Sequence, residues 1–151
     1  MAVHTVRRMN PAIEVLRQGK ILLVEERGDD RTHLAAMLTA EGHQVRECSS
    51  CSQAIDLLAD ESFDIVLVGQ GSNAAQEREV VEWAWAANPQ VPVVLLVNDP
   101  QLPEDYRSIR PEVASYVPKP ISRFEEIELK ETVRRHMKPR VFAIDFGRRT
   151  R

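Results

Sequence analysis

Ile65-Val66-Leu67-Val68 is an unbroken, β-branched apolar run that ends on the turn Gly69-Gln70-Gly71-Ser72-Asn73-Ala74. A strand covered on one face alternates apolar and polar residues, whereas a run without a polar break is covered on both faces. The same signature recurs in Ile21-Leu22-Leu23-Val24, in Val91 to Val97 and, more briefly, in Ser115-Tyr116-Val117. His43 to Cys48 is more polar and suits a sheet edge. Helical spacing fills the gaps. Leu34, Met37 and Leu38 follow the candidate caps Asp29 and Asp30. Ile55, Leu57 and Leu58 follow a Ser50…Gln53 box. Val80, Val81, Ala84 and Trp85 follow Asn73…Gln76, and Phe124, Ile127, Leu129 and Val133 follow Ser122…Glu125. Residues 98–114 are rich in Pro, Asp and Glu, which predicts a short helix near Pro103 to Ile109. Five β–α units of this length need right-handed crossovers, so the expected product is an α/β, doubly wound, parallel sheet. Chemistry in such sheets gathers at the carboxyl ends of the strands. Those ends are Glu25-Glu26, Cys48, Gly69-Gln70, Val97-Asn98 and Pro118-Lys119.

The chain has 151 residues, 43% of them apolar and 28% charged, the mix of one ordinary globular domain. No apolar run is long enough to span a membrane, and two cysteines are too few for a disulfide scaffold, so a cytoplasmic location is expected. The formal charge of −3 is unevenly placed. Residues 1–20 carry four basic side chains against one acidic, and 138–151 carry five against one. That leaves 11 basic and 21 acidic groups in 21–137, an acidic body between basic ends. The pattern predicts an extension over 1–18, a folded domain over 19–137 and a basic tail over 138–151. Asn10, Pro11 and Gly19 have the spacing of a short helix within the extension. Val141 to Phe146 reads as a strand, which must find a sheet edge, the body of the domain or a second chain. Neither a helix-turn-helix nor a basic helix is present, so nucleic acid is not an expected partner.

Four segments resemble the receiver domain of bacterial response regulators, over 19–137. KILLVEERGDDRTHLAAML (20–38) is similar to the first strand, acidic pair and first helix. DIVLVGQ (64–70) is similar to the third strand and phosphoacceptor turn, VPVVLLVND (91–99) to the fourth strand, and ASYVPKPIS (114–122) to the fifth. The resemblance implies a CheY-like, flavodoxin-like (βα)5 fold with strand order 2-1-3-4-5. It places the magnesium-holding acidic pair on Glu25 and Glu26, and the phosphoacceptor position on Gly69. Gln70 follows that position. The hydroxyl position falls on Val97, the small residue after it on Asn98, the lysine on Lys119 before Pro120, and the switch aromatic on Tyr116.

Two departures from the family pattern decide the expected mechanism. Gly69 offers no carboxylate to attack a phosphorylated histidine, and Val97 has no hydroxyl to hold a phosphoryl oxygen. A pocket missing one carboxylate serves magnesium poorly, so only a weak magnesium site at Glu25 and Glu26 is expected and no cofactor. Glu25 and Glu26 are longer than Asp, long enough for one to reach toward the vacated place and bond Lys119. The expectation is a pseudo-receiver: no enzyme, but a phosphorylation-independent interaction module in two-component phosphorelay signalling. Its partner would be a histidine kinase or an output protein. The family's partner surface would fall on Asp105, Tyr106, Arg107, Tyr116 and the charged face Glu125, Glu128, Lys130, Glu131 and Arg134. A homodimer through that region or through Val141–Phe146 is compatible with the sequence.

Rival readings attach to two motifs. Gly69 to Ala74 matches G-x-G-x-x-A between a strand and a helix, the setting of a dinucleotide turn, with Asp99 available for a ribose. Its position on the third strand of five and the lack of room for a substrate domain weigh against it. Cys48-Ser49-Ser50-Cys51 is C-x-x-C at a helix entrance, where the dipole would lower a thiol pKa and permit a redox pair. The rest of a thioredoxin-like pattern is missing. The chain also reads as the receiver part of a regulator whose output domain, once following Pro139, is missing.

Overall fold

The computed structural model describes residues 12–16, 18–98, 115–119, 121–137 and 140–144. In chain order these form β1 (Ala12–Leu16), β2 (Lys20–Val24), α1 (Gly28–Ala40), β3 (Gln44–Cys48), α2 (Cys51–Asp60), β4 (Ile65–Gly69), α3 (Ala74–Ala87), β5 (Val93–Val97), β6 (Ser115–Pro118), α4 (Arg123–His136) and β7 (Arg140–Ile144).

Five strands build one parallel sheet in the order β3-β2-β4-β5-β6. Counted from β2, this is the 2-1-3-4-5 order of the flavodoxin-like fold. Strand period two divides the apolar runs between two cores. Leu22, Val24, Val66, Val68 and Leu95 pack with Leu58, Val80 and Val81 of α2 and α3. Ile21, Leu23, Ile65, Leu67 and Leu96 pack with Leu34 and Leu38 of α1 and Leu129 and Val133 of α4. β2, β4 and β5 are therefore buried along nearly their whole length, while β3 at the edge is mostly exposed. The direction of winding reverses between β2 and β4, and the carboxyl ends of those strands frame the crevice where such folds place their sites.

The helix entrances follow local chemistry. Ser50 accepts from the Gln53 N–H at 3.2 Å, while the Gln53 side chain reaches back to the Ser49 N–H at 3.0 Å. Asn73 accepts from the Gln76 N–H at 3.0 Å. Ser122 instead meets the Glu125 carboxylate with its hydroxyl. The cap of α1 is Arg27 rather than Asp29 or Asp30. Both aspartates lie inside the first turn, where their charge still complements the helix dipole. Trp85 packs on the first core and donates to the Val91 carbonyl at 3.1 Å, leaving Trp83 half exposed.

The short helix expected within the N-terminal extension is replaced over Ala12–Leu16 by a strand. β1 pairs antiparallel with β7, with Glu14 opposite Phe142. The strand expected at 141–146 is thus present from Arg140 to Ile144, but its partner is the N-terminal segment and not the edge of the main sheet. The helix expected near Pro103 to Ile109, with Asp105, Tyr106 and Arg107, lies outside the described residues, as do Asp99 and Pro120. Among the described residues no helix is long and apolar enough to cross a membrane.

Candidate functional site

β2 ends on Val24, and the chain turns through Glu25 and Glu26 into α1. Successive residues at a strand end leave in different directions. Glu25 is buried at 1% exposure and Glu26 is exposed. The Glu25 carboxylate lies over Gly69, the last residue of β4. A Cβ on Gly69 would stand 2.3 Å from Glu25 Oε1, so the carboxylate fills the space a side chain at 69 would need. Glu26 does the same over Gly71, where a Cβ would stand 2.7 Å from its Cδ. These close approaches, and not backbone angles, are what the two glycines serve.

Lys119 leaves the end of β6 and donates from Nζ to Glu25 Oε1 at 2.9 Å and to the Gln70 carbonyl at 2.9 Å. Both side chains are almost wholly buried. Glu25 Oε2 accepts from the Arg27 N–H at 3.1 Å. Each charged group is therefore held by the other and by backbone, as a buried ion pair requires. The salt bridge expected from Lys119 to one of the two glutamates is made to Glu25.

The remaining groups close the crevice. Gln70 Oε1 accepts from the Asn98 N–H at 2.6 Å, and Asn98 Nδ2 donates to the Gln70 carbonyl at 3.2 Å. Val97 is buried at the end of β5 and its carbonyl accepts from the Lys119 N–H at 2.6 Å. Tyr116 is half-buried against the core that α2 and α3 cover. The structure thus brings Glu25, Gly69, Gln70, Val97, Asn98 and Lys119 together and sets Glu26 beside them on a separate set of partners.

Those partners bear on both rival motifs. In the 69–74 turn the N–H groups that would cradle a phosphate already have acceptors. Gln70 N–H donates to the Leu96 carbonyl at 2.7 Å and Gly71 N–H to Glu77 Oε2 at 2.7 Å. Ser72 donates to Glu26 from its N–H at 3.1 Å and from its hydroxyl at 2.8 Å. Two carboxylates thus stand where a phosphate would approach, and they repel it. Glu77 is a site residue that motif reading missed; its only signal was an acid in the first turn of α3. Behind the turn lies a cavity of about 90 Å³ lined by Glu26, Cys51, Gly69 and Glu77 among others. Cys48 and Cys51 are free thiols at the end of β3 and the start of α2. Burial pushes both up to about 11, the opposite of the lowering expected at a helix entrance. Glu77 and Glu26 add to that rise at Cys51.

Magnesium fits these groups poorly. It needs several converging oxygens, yet the Glu25 carboxylate is spent on Lys119 and Arg27 and that of Glu26 on Ser72. Among the described residues no three acidic, cysteine or histidine side chains are placed to share an ion.

This crevice can be set beside known proteins. No curated protein sequence matches the chain. Solved structures share its fold at low identity. The signal receiver domain of an HD domain-containing protein from Pseudomonas fluorescens Pf-5 is 21% identical with a TM-score of 0.68, over 79% of this chain and 94% of that one. A response regulator receiver domain protein from Clostridium thermocellum is 16% identical with a TM-score of 0.67, over 78% and 92%. NtrX from Brucella abortus, solved with ATP, is 24% identical with a TM-score of 0.64 over 78% of this chain, which spans only 27% of NtrX. The five-stranded sheet and its helices therefore share the fold of these solved receiver domains. The family model for the flagellar regulatory protein FleQ matches residues 20–115, from the first residue of β2 to the first of β6. With well over half its length under that model, the chain belongs to the FleQ flagellar regulatory protein family.

Proposed function

We propose that this receiver domain works without aspartyl phosphorylation, as a protein-recognition module of a regulatory pathway. The observation that carries the reading is the Glu25 carboxylate lodged over Gly69 and paired with Lys119. The residue at the phosphoacceptor position has no side chain, and the space is filled. The lysine that would hold a phosphoryl group is bound to a carboxylate of the same chain. In this reading the crevice is a set of satisfied polar groups that takes up no phosphoryl group, and the domain works through its surface rather than as an enzyme.

The partner is a signalling protein: a histidine kinase, or the output machinery of a flagellar regulator such as the family name describes. Phe124 and Ile127 on α4 are 70% and 65% exposed and give the charged face of that helix an apolar anchor. The location that suits such a partner is the cytoplasm. A second reading is compatible with the first: the chain is the receiver portion of a regulator with an output domain. The chain spans 27% of NtrX but 94% of the Pseudomonas receiver domain.

The test is to treat the chain with phosphoramidate and magnesium and measure its intact mass. No phosphoryl adduct is expected, and beryllofluoride should leave the amide resonances of Glu25, Gly69 and Lys119 unmoved. A hydroxylamine-labile adduct on any carboxylate would overturn the reading.

A further inference from the structure

The two faces of the main sheet are charged differently. α2 and α3, over one core, carry five acidic side chains against one basic, Arg78. α1 and α4, over the other, carry six against five. On the first face Glu77 is buried, but Asp56, Asp60, Glu79 and Glu82 are exposed. Arg78 is paired with Glu82 at 3.4 Å, within α3 itself. Neither α2 nor α3 has a basic residue in its last turn, where the helix dipole favours a cation.

Between the carboxyl-terminal ends of these two helices lies a groove of about 270 Å³. Leu58, Phe63, Ala84 and Val91, all buried members of the core, help to line it, and the exposed Asp60 stands at its edge. Glu61 is there too, but its carboxylate is held by Lys20 at 2.6 Å and by Arg46 at 2.7 Å. Gln76 and Ala87 line cavities that α3 shares with α2 at its two ends. Trp83 lies on their stripe, seven residues after the one and four before the other. Its ring, 48% exposed, therefore stands along the seam between the helices, with Glu79 one turn before it.

We infer that the α2–α3 seam docks a basic segment of a partner protein. One large apolar side chain of that segment sits in the groove beside Trp83, and its cationic side chains meet Asp60, Glu79 and the two helix ends. Charge selects this occupant. A nucleic acid or an anionic membrane is repelled by the acids. A second copy docked face to face about a two-fold axis sets the same acids against each other. A basic segment gains ion pairs with the rim, the negative ends of two helix dipoles and a cation over the Trp83 ring. The buried apolar floor supplies the anchor that rim charges alone do not. The seam lies across the sheet from α4, so this docking is separate from the α4 face and does not rest on the phosphorylation reading.

The probe is a blocked peptide of lysines and arginines around one central leucine, titrated into the full 151-residue chain. The amide resonances of Leu58, Asp60, Trp83 and Ala87 should move together, with a Kd below about 1 mM that weakens as salt is added. Tryptophan emission should change, and Trp83→Phe should abolish that change while Trp85 remains. Asp60→Lys combined with Glu79→Lys should weaken binding at least about tenfold. Both positions are exposed, and the urea midpoint checks that the double variant folds. The resonance map needs no variant, so it decides the matter even if that one does not fold. A peptide with glycine in place of the leucine should bind more weakly, and an acidic counterpart not at all. No movement up to about 1 mM peptide, movement confined to α4, or equal binding by either control peptide would overturn the inference. So would binding untouched by the charge reversals. The same resonances moving with protein concentration alone would assign the seam to a second copy and overturn it as well.

Discussion

Glu25 stands in the place of a side chain that Gly69 does not have: Oε1 lies 2.3 Å from where a Cβ at 69 would be. An aspartate placed at 69 therefore finds no free space to enter. Gly69→Asp must push a buried carboxylate away from Lys119 and the Arg27 N–H, and sets a second carboxylate beside it. Even Gly69→Ala should cost about 1–3 kcal/mol by overpacking, measured as a shift in the urea midpoint. Gly69→Asp should cost more and gain no phosphoryl group from phosphoramidate. Adding Glu25→Asp, one methylene shorter, should recover part of the stability. If Gly69→Asp alone is as stable as the parent, the carboxylate does not hold that space.

The Lys119–Glu25 pair is a second quantity to measure. Lys119→Met leaves Glu25 buried with one backbone donor, and a buried charge without its partner costs about 3–5 kcal/mol. Glu25→Gln leaves Lys119 in the same position. The double variant should lose clearly less than the sum of the two single losses, because neither charge is then stranded. Additive losses in a double-mutant cycle would show that the two groups do not interact.

How much of this was legible in the chain follows from how far each signal reaches. β2, β4 and β5 are fully covered strands, and four apolar residues in a row announce that locally. The Ser50…Gln53 and Asn73…Gln76 caps are equally local. β1 was not legible, because its pairing partner lies far along the chain: Ala12 meets Ile144, while Pro11 and Gly19 nearby carry the marks of a helix. The length of a glutamate foretold that a carboxylate would reach inward. The choice of Glu25 over Glu26 depended on the direction in which each leaves β2. The role of Glu77, which takes the Gly71 N–H, depended on the path of the 69–74 turn, which no motif records. The C-x-x-C spacing was legible but its chemistry was not: burial, a property of the fold, raises both thiols, and at Cys48 it outweighs the opposing pull of Arg46 and Arg31.

That burial sets a prediction for the cysteines. With both pKa values near 11, little thiolate is present at neutral pH, and thiolate is the reactive form. Iodoacetamide at neutral pH should label neither Cys48 nor Cys51 in the folded chain, and should label both within minutes in concentrated urea. Peroxide should produce no disulfide between them. Rapid labelling of the folded protein, followed by peptide mass mapping to either residue, would revive the redox reading.

His43 gives the pH dependence. It is buried just before β3, and its Nδ1 accepts from the Gly19 N–H at 3.2 Å, so the neutral ring is the form that fits. Burial holds its pKa below the usual histidine value, with Arg134 lowering it further and Glu41 opposing both. Arg134 and Glu41 are themselves paired at 2.8 Å, which blunts each. In the unfolded chain the ring takes a proton near pH 6.5. As the pH falls through that value the unfolded state binds a proton that the folded state refuses, so stability is lost toward acid and is flat above. The urea midpoint should therefore drop between about pH 7.5 and about pH 5.5. His43→Gln keeps an oxygen to accept from Gly19 but has nothing to titrate, and its midpoint should fall less over the same range. Equal slopes for the two proteins would assign the acid sensitivity to other groups and leave His43 a passive part of the core.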